Sequence, residues 1–316
     1  MPFFHEGGVQ DMSVVPHLGV GLQYNPEIVG WFPFEKVEVD ALEVLLDTLA
    51  GPLDSPYLVL PGKVDELKRL SEVGTLIAHS NFGAEFGFRP LEESAAVRRH
   101  VPLAHLVKSP WVSDHCFYGD QSWEDIWSSP VQFSRREVRR LASRARELQG
   151  LYGVPLAHEN ATYYVECPGA EMSEAQFMAE LVEASGTYLH LDLHNLYTNS
   201  VNFAQFDIDE YLRIIPLERV IEIHIAGGSW SDGLYHDWHD GPVPEPVWDL
   251  LDRVLREARP GAVILEAQGR AHHAAGRVLS AEDDLGTVQA DLARAMAIWD
   301  RAFGPGSRRG TRSDGC

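Results

Sequence analysis

Between Leu189 and His194, in the stretch TYLHLDLHNLYTNS, leucines alternate with ligand-type polar residues. Residues two apart share one face of a strand, so His190, Asp192 and His194 point one way and Leu189, Leu191 and Leu193 the other. A strand buried on both faces normally carries apolar side chains throughout, and a buried carboxylate or imidazole without a partner costs several kcal/mol. The polar face of this strand therefore needs partners or a cation opposite it.

The same patterning predicts seven further strands: His17–Gln23, Asp40–Leu46 (with a helix as the alternative), Gly74–Ser80, a strand carried from Pro102 to Asp114, Val154–Asn160, Arg219–Gly227 and Ala262–Gln268. The central one is taken as Thr187–Asn195. Helical spacing falls between them, over Gly62–Glu72, Leu91–His100, Ser134–Gly150, Ser173–Ser185, Asp207–Ile214, Pro244–Ala258 and Ser280–Phe303. The clearest helix is SRREVRRLASRARELQG, with Val138, Leu141, Ala145 and Leu148 on one stripe, a serine to start it and a glycine to stop it. Ser173 with Gln176 three residues on is a capping box. Eight strands, most of them followed by a helix, predict an α/β protein, a single-domain (β/α)8 TIM barrel. An open doubly wound sheet would carry a Gly-rich fingerprint after its first strand, and none is present. The expected organisation is an N-terminal arm over 1–16, the barrel over 17–303 and a disordered tail over 304–316, where GPGSRRGTRSDGC offers nothing to bury.

Composition narrows the partners. The 316 residues carry a net charge of −21, which argues against nucleic acid or an anionic membrane as partner, since both require a positive surface. Three cysteines, Cys116, Cys167 and Cys316, form no CxxC pair and no even framework, which fits a reducing compartment. The N-terminus lacks the pattern of a signal peptide and no apolar run is long enough to span a bilayer, so a cytoplasmic location is expected.

Polar residues gather at the carboxyl ends of the predicted strands: His79, Asp114 with His115, His158 with Glu159 and Asn160, Asp192 with His194 and Asn195, Glu222 with His224, and Glu266. In a barrel these ends meet at one mouth, where such folds keep their active sites. His236, Asp237, His239 and Asp240 follow in YHDWHDGPV. So many imidazoles and carboxylates converging on one place call for cations among them. Histidine mixed with carboxylate and no thiolate suits iron, manganese or zinc. The candidates outnumber the ligands of one six-coordinate ion, so two or more ions sharing bridging carboxylates are expected. Asp192, His224 and Glu266 are the residues hardest to explain structurally, and they are the expected catalytic core. His190 is expected to fill the barrel interior, His272 and His273 to lie on the surface, and Trp230 and Trp238 to pack loops.

The blocks HENATYY, LDLHNLY, EIHIAGG, HDWHDGPV and VILEAQG, in this order, resemble the DUF692 family, the multinuclear non-heme iron-dependent oxidative enzymes, which include methanobactin oxazolone synthase-type and thiaglutamate-pathway enzymes. The resemblance implies a barrel holding two or three iron ions, Fe(II) and Fe(III), that uses dioxygen to oxidise a cysteine. The substrate it implies is commonly a peptide presented by a small recognition partner protein. It places metal ligands at His79, His115, Glu159, Asp192, Asn195, His224, Asp237, His239 and Glu266. Two departures stand out. Leu45 occupies a position where many members carry histidine, and Glu266 is followed by Ala267, Gln268 and Gly269 in place of Trp-Asp. A redox-inert zinc or manganese isomerase or hydrolase on the same barrel, of the xylose-isomerase or endonuclease-IV type, and a non-catalytic peptide-binding barrel are the competing readings.

Overall fold

Eight parallel strands close on themselves in the computed structural model, which describes residues 15–24, 37–51, 56–80, 87–118, 131–165, 167, 169–267 and 281–308. They are β1 (Gly19–Tyr24), β2 (Ala41–Leu45), β3 (Thr75–Ser80), β4 (Val112–His115), β5 (Leu156–Glu159), β6 (Tyr188–Asp192), β7 (Val220–Ala226) and β10 (Ala262–Glu266). Each pairs with its sequence neighbours, and β1 pairs with β10 to shut the barrel. Outside lie α1 (Leu46–Leu49), α2 (Lys63–Val73), α3 (Ala95–Val107), α4 (Arg135–Tyr152), α5 (Glu174–Ser185), α6 (Leu193–Asn202), α7 (Ile208–Ile214), α8 (Glu245–Val254) and α9 (Ala281–Phe303). The fold is thus the expected TIM barrel. Among the described residues no helix is long and apolar enough to cross a membrane.

Strand alternation sorts the side chains into two cores. Leu42, Val44, Leu76, Ala78, Val112, Leu156, Leu189, Leu191, Ile223, Ile225, Val263 and Leu265 pack outward against the helices. A second, smaller cluster of Leu18, Ala41, Ile77, Trp111, Ala157, Ile221, Ala262 and Ile264 plugs the barrel interior near the amino ends of the strands. Two residues further along the same strands stand Glu43, His79, Ser113, Glu159 and Glu266, all buried. Inside the barrel, an apolar floor therefore carries a polar layer. A β-bulge contributes: Leu189 pairs with Val220 but His190 pairs with Glu222, leaving Ile221 as the extra residue of β7. Ile221 joins the floor without turning Glu222 and His224 out of the interior.

Several elements differ from the sequence expectation. Pro102, read as the start of a strand, lies inside α3, whose buried residues Val97, His100, Leu103 and Ala104 form a helical stripe. The missing amide of one proline is outweighed by that packing, and β4 is only Val112–His115. The strand expected to reach Asn195 ends at Asp192, because the Asp192 side chain accepts a hydrogen bond from the Asn195 amide at 2.7 Å and caps α6. His194 and Asn195 are consequently helical. A short antiparallel hairpin, β8 (Ser229–Ser231) with β9 (Leu234–His236), follows β7. The tail expected from 304 is packed over its first residues: Ser307 Oγ accepts from Trp299 Nε1 at 3.0 Å, and Arg308 lies 3.6 Å from Asp40 and 3.3 Å from Asp300. Most of the N-terminal arm, the rest of the tail with Cys316, and the segment holding Gln268, Gly269, His272 and His273 lie outside the described residues.

Candidate metal centre at the barrel mouth

Asparagine prolongs the barrel where strand pairing stops. Asn160, just past β5, donates through Nδ2 to the Asp192 carbonyl at 2.9 Å and accepts at Oδ1 from the Asp192 amide at 2.8 Å. Its amide thus imitates a strand partner. It fixes the end of β6, leaving Asp192 Oδ1 to cap α6 and Asp192 Oδ2 buried without a hydrogen bond. Parity decides which strand-end residues enter the site. Glu159 faces inward, while His158, beside it, faces out and bonds Thr187 Oγ1 at 2.5 Å. Asp114 likewise turns away from the interior and accepts from the amide of His115 at 2.9 Å.

Glu159 is the hub. Its Oε2 lies 3.5 Å from His79 Nε2, 3.3 Å from His115 Nε2 and 3.8 Å from His190 Nδ1. Its other oxygen lies 3.6 Å from His224 Nδ1, which is 4.0 Å from Asp192 Oδ2 and 3.2 Å from Glu266 Oε2. Glu266 Oε2 reaches on to His239 Nε2 at 3.5 Å, and His239 Nε2 lies 2.9 Å from Asp237 Oδ1. His194 Nδ1 bonds the same Asp237 oxygen at 2.7 Å. Three donor groups therefore stand in a row, with Glu159 shared between the first and second and Glu266 between the second and third.

Neighbouring groups fix which nitrogen of each ring is available. His115 Nδ1 donates to the Ser80 carbonyl at 3.2 Å, so its Nε2 carries the lone pair that faces Glu159. His79 Nδ1 contacts Ser113 Oγ at 2.9 Å, leaving Nε2 turned to Glu159. His224 Nε2 lies 2.9 Å from Glu43 Oε2, and Gln23 Nε2 donates to the other Glu43 oxygen at 2.8 Å and also to Glu266. This chain holds the proton on His224 Nε2 and directs Nδ1 at the carboxylates, the arrangement metal-binding histidines use. Glu43 was not expected at the site. The signal for it was present in ALEVLL, where one acid interrupts apolar positions at the parity that faces inward. Leu45, two residues further on, shares that parity and is buried, yet it belongs to neither apolar cluster.

Without a cation, protons supply the compensating charge. Burial opposes a charged His224, but the Glu266 and Glu43 carboxylates overcome it and hold its pKa well above the ordinary value. Burial likewise opposes a charged His239, and Glu266 and Asp237 raise its pKa to about 10. Burial raises Asp192 to about 6, helped by Asp237 and Glu266, and raises Glu159 well above the carboxylate range. Burial lowers His79 and His190 and takes His115 down to about 3, so these three rings are neutral and able to act as donors.

Metal ions fit these groups. His79 Nε2, Glu159 Oε2, both nitrogens of His190, Asp192 Oδ2, His194 Nε2, His224 Nδ1 and His239 Nε2 are all buried without a hydrogen-bond partner. A cation satisfies such atoms together, whereas native interiors seldom leave even one unpaired. The donor atoms of four trios each lie within 4.8 Å of one another: His79, Glu159 and His190; Glu159, Asp192 and His224; Glu43, His224 and Glu266; and His194, Asp237 and His239. Of the nine residues expected as ligands, eight reach this mouth with a donor atom turned toward another. Asn195 sits there as well, but its amide is already engaged, accepting from Thr162 Oγ1 and donating to the Asn160 carbonyl at 3.0 Å.

The loop after β7 brings the third group over the mouth. Gly228 permits the approach: a Cβ there would lie 2.0 Å from the His236 carbonyl oxygen and 3.2 Å from the His194 ring. His239 takes a left-handed backbone, φ 53°, which sets its ring toward Asp237 and Glu266. Trp238 stacks on His236 with ring centres 4.3 Å apart, while Trp230 is largely exposed and touches Tyr235 edge-on.

Fold and site together define a class: a TIM barrel whose mouth carries linked imidazole and carboxylate sets suited to metal ions. Residues 19–283 match the family described as RiPP precursor modification enzyme MbnB/TglH/ChrH, and the chain belongs to that family, DUF692. It is 36% identical over 257 residues to a UPF0276 protein of Caulobacter vibrioides, covering 81% of this chain and 89% of that one. A UPF0276 protein of Streptomyces avermitilis is 30% identical over 272 residues, covering 83% of this chain, and the match spans 53% of that longer relative. Solved structures share the fold at low identity. The IOLI protein with a binding zinc atom superposes with TM-score 0.56 at 14% identity, covering 92% of this chain and 100% of that one. An L-ribulose 3-epimerase gives 0.55 at 13%, covering 89% and 95%.

Proposed function

We propose that the chain is a multinuclear non-heme iron enzyme that uses dioxygen to oxidise a cysteine of a peptide substrate, supplied directly or by a small recognition partner protein. The observation that carries this reading is the sharing of Glu159 and Glu266 among three donor groups, which suits a row of ions and not a single one. His79, His115 and Glu159 would hold the first ion, Glu159, Asp192, His224 and Glu266 the second, and Glu266, Asp237 and His239 the third. Iron at these positions would supply the electrons that reduce dioxygen. The chain's own residues orient and insulate. Glu43 and Gln23 keep the proton of His224 on Nε2 and away from Nδ1. Ser113 and the Ser80 carbonyl hold the protons of His79 and His115 on Nδ1 and leave Nε2 to face Glu159. The apolar floor below and the helix layer outside keep bulk water from entering except through the mouth.

Metal analysis of protein purified without added metal tests this directly. The expected result is two to three equivalents of iron, a visible absorption, and oxygen uptake when peptides encoded beside the gene are added. Colourless protein holding zinc or manganese, with no oxygen uptake, would replace the proposal with a redox-inert barrel. Peptide binding without any metal would leave only a binding protein.

A further inference from the structure

His190 belongs to no ligand set the strand-end pattern suggested, and it was expected to fill space inside the barrel. Its surroundings do not suit a filler. The residue is 1% exposed, and neither ring nitrogen has a hydrogen-bond partner. The nearest candidate partner below it, Glu222 Oε2, is 3.7 Å away and already accepts from Trp111 Nε1 at 2.9 Å. A neutral imidazole with both nitrogens buried and unpaired forfeits the hydrogen bonds that water would give it, with nothing in return. An apolar side chain on β6 would avoid that cost.

We propose that His190 is a protein ligand to the deepest metal ion, completing a three-imidazole, one-carboxylate set with His79, His115 and Glu159. The inference rests on the metal-centre reading above and extends it to a residue that reading leaves out. Three nitrogens surround one oxygen of Glu159, at 3.3 Å for His115, 3.5 Å for His79 and 3.8 Å for His190. Metal–nitrogen bonds of about 2.0–2.1 Å put tetrahedral donors about 3.3–3.4 Å apart, so small ring movements bring His79, His190 and Glu159 onto one ion, while His115, which belongs to none of the four close trios, turns further to join them. The donor atoms of His79, Glu159 and His190 already lie within 4.8 Å of one another. His79 and His115 each have one nitrogen committed to Ser113 and Ser80, and of these three rings His190 has both nitrogens without a hydrogen bond. His190 and Asp192 are two residues apart on β6 and so face inward together, and the bulge in β7 sets Glu222 and His224 opposite them.

The test compares the full-length protein with His190→Leu and His190→Gln, using zinc as a redox-silent probe and ferrous iron without oxygen. Readouts are metal stoichiometry, the number of imidazole scatterers by X-ray absorption, and Tm with and without metal. The variants are expected to lose one equivalent or bind it at least about tenfold more weakly, with fewer imidazoles per metal. His190→Leu should also leave the metal-free Tm unchanged or raised while shrinking the rise in Tm on loading. A purely structural His190 gives the opposite crossing: a lower metal-free Tm, with stoichiometry, scatterer count and metal-induced rise all as in the wild type. That result in either folded variant overturns the proposal and leaves the metal centre standing. A wild-type protein that takes up no metal overturns both.

Discussion

Replacing Glu43 by glutamine changes one atom in the buried chain from Gln23 through Glu43 to His224. In the native protein Glu43 Oε1 accepts from Gln23 Nε2 at 2.8 Å and Oε2 accepts from His224 Nε2 at 2.9 Å, with Glu43 fully buried. A glutamine offers one oxygen in place of two, so either the Gln23 amide or the His224 N–H meets another donor. A hydrogen bond to a charged group contributes about 1.5–3 kcal/mol. If the His224 proton moves to Nδ1 to escape the clash, the nitrogen facing Glu159, Asp192 and Glu266 is blocked. Groups that orient a metal-binding histidine typically contribute about 10–100-fold in affinity, and that is the expected loss for the second ion in Glu43→Gln. One opposing effect enters. Glu43 also raises the pKa of His224, so its removal eases the loss of that proton and offsets part of the deficit near neutral pH. The deficit should therefore grow as pH rises and proton competition fades in the wild type. Competition titrations against a chromophoric chelator at pH 7 and pH 9 measure both quantities. Wild-type affinity and stoichiometry at both values would refute the orienting role of Glu43.

Metal uptake should release protons. His239, at about 10, and His224, raised well above its ordinary value, hold protons at neutral pH that an ion must displace, so affinity falls as pH falls. Calorimetric titration in two buffers of different ionisation enthalpy reads the release, and identical apparent enthalpies would contradict it. Away from the mouth, burial raises Glu174, at the start of α5, to about 8, with an opposing hydrogen bond from the Ala161 amide. Because its folded pKa lies above the unfolded one, the folded state keeps a proton the unfolded chain has lost. Stability from this group is full below the ordinary value of 4.5 and is lost as pH rises through about 8. The slope is at most about 1.4 kcal/mol per pH unit. Denaturant unfolding of metal-free protein across that window should show the slope in the wild type and a flatter line in Glu174→Gln, and parallel curves would refute it.

How much of this was legible beforehand differs by residue. The outward leucines of β6, the stripe Val138, Leu141, Ala145 and Leu148 of α4, and the capping box of α5 follow from local spacing, and all three stand as read. Local spacing also failed locally. The strand read from Pro102 to Asp114 starts inside α3, where the tertiary packing of Val97, His100, Leu103 and Ala104 outweighs the cost of a proline in a helix. His194 and Asn195 continue the alternation of β6 on paper, but Asp192 caps a helix there, so they leave the strand. Glu43 is a single acid in an apolar strand and could have been only a charge at an edge. Closure of the barrel between β1 and β10 brings Gln23 and Glu266 to it, and β7 brings His224.

The chain by itself determined the number of barrel strands, their alternation with helices and which residues carry imidazole and carboxylate, because these depend on periodicities of two and 3.6 that neighbouring residues express. It did not determine which donors share an ion. Glu159 is more than 60 residues from His224 and more than 100 from Glu266 along the chain, as residue numbers show. Only the closed barrel, with its register and the bulge in β7, sets their oxygens and nitrogens within 4 Å. Donor identity is a local property of sequence, whereas donor geometry is a property of closure.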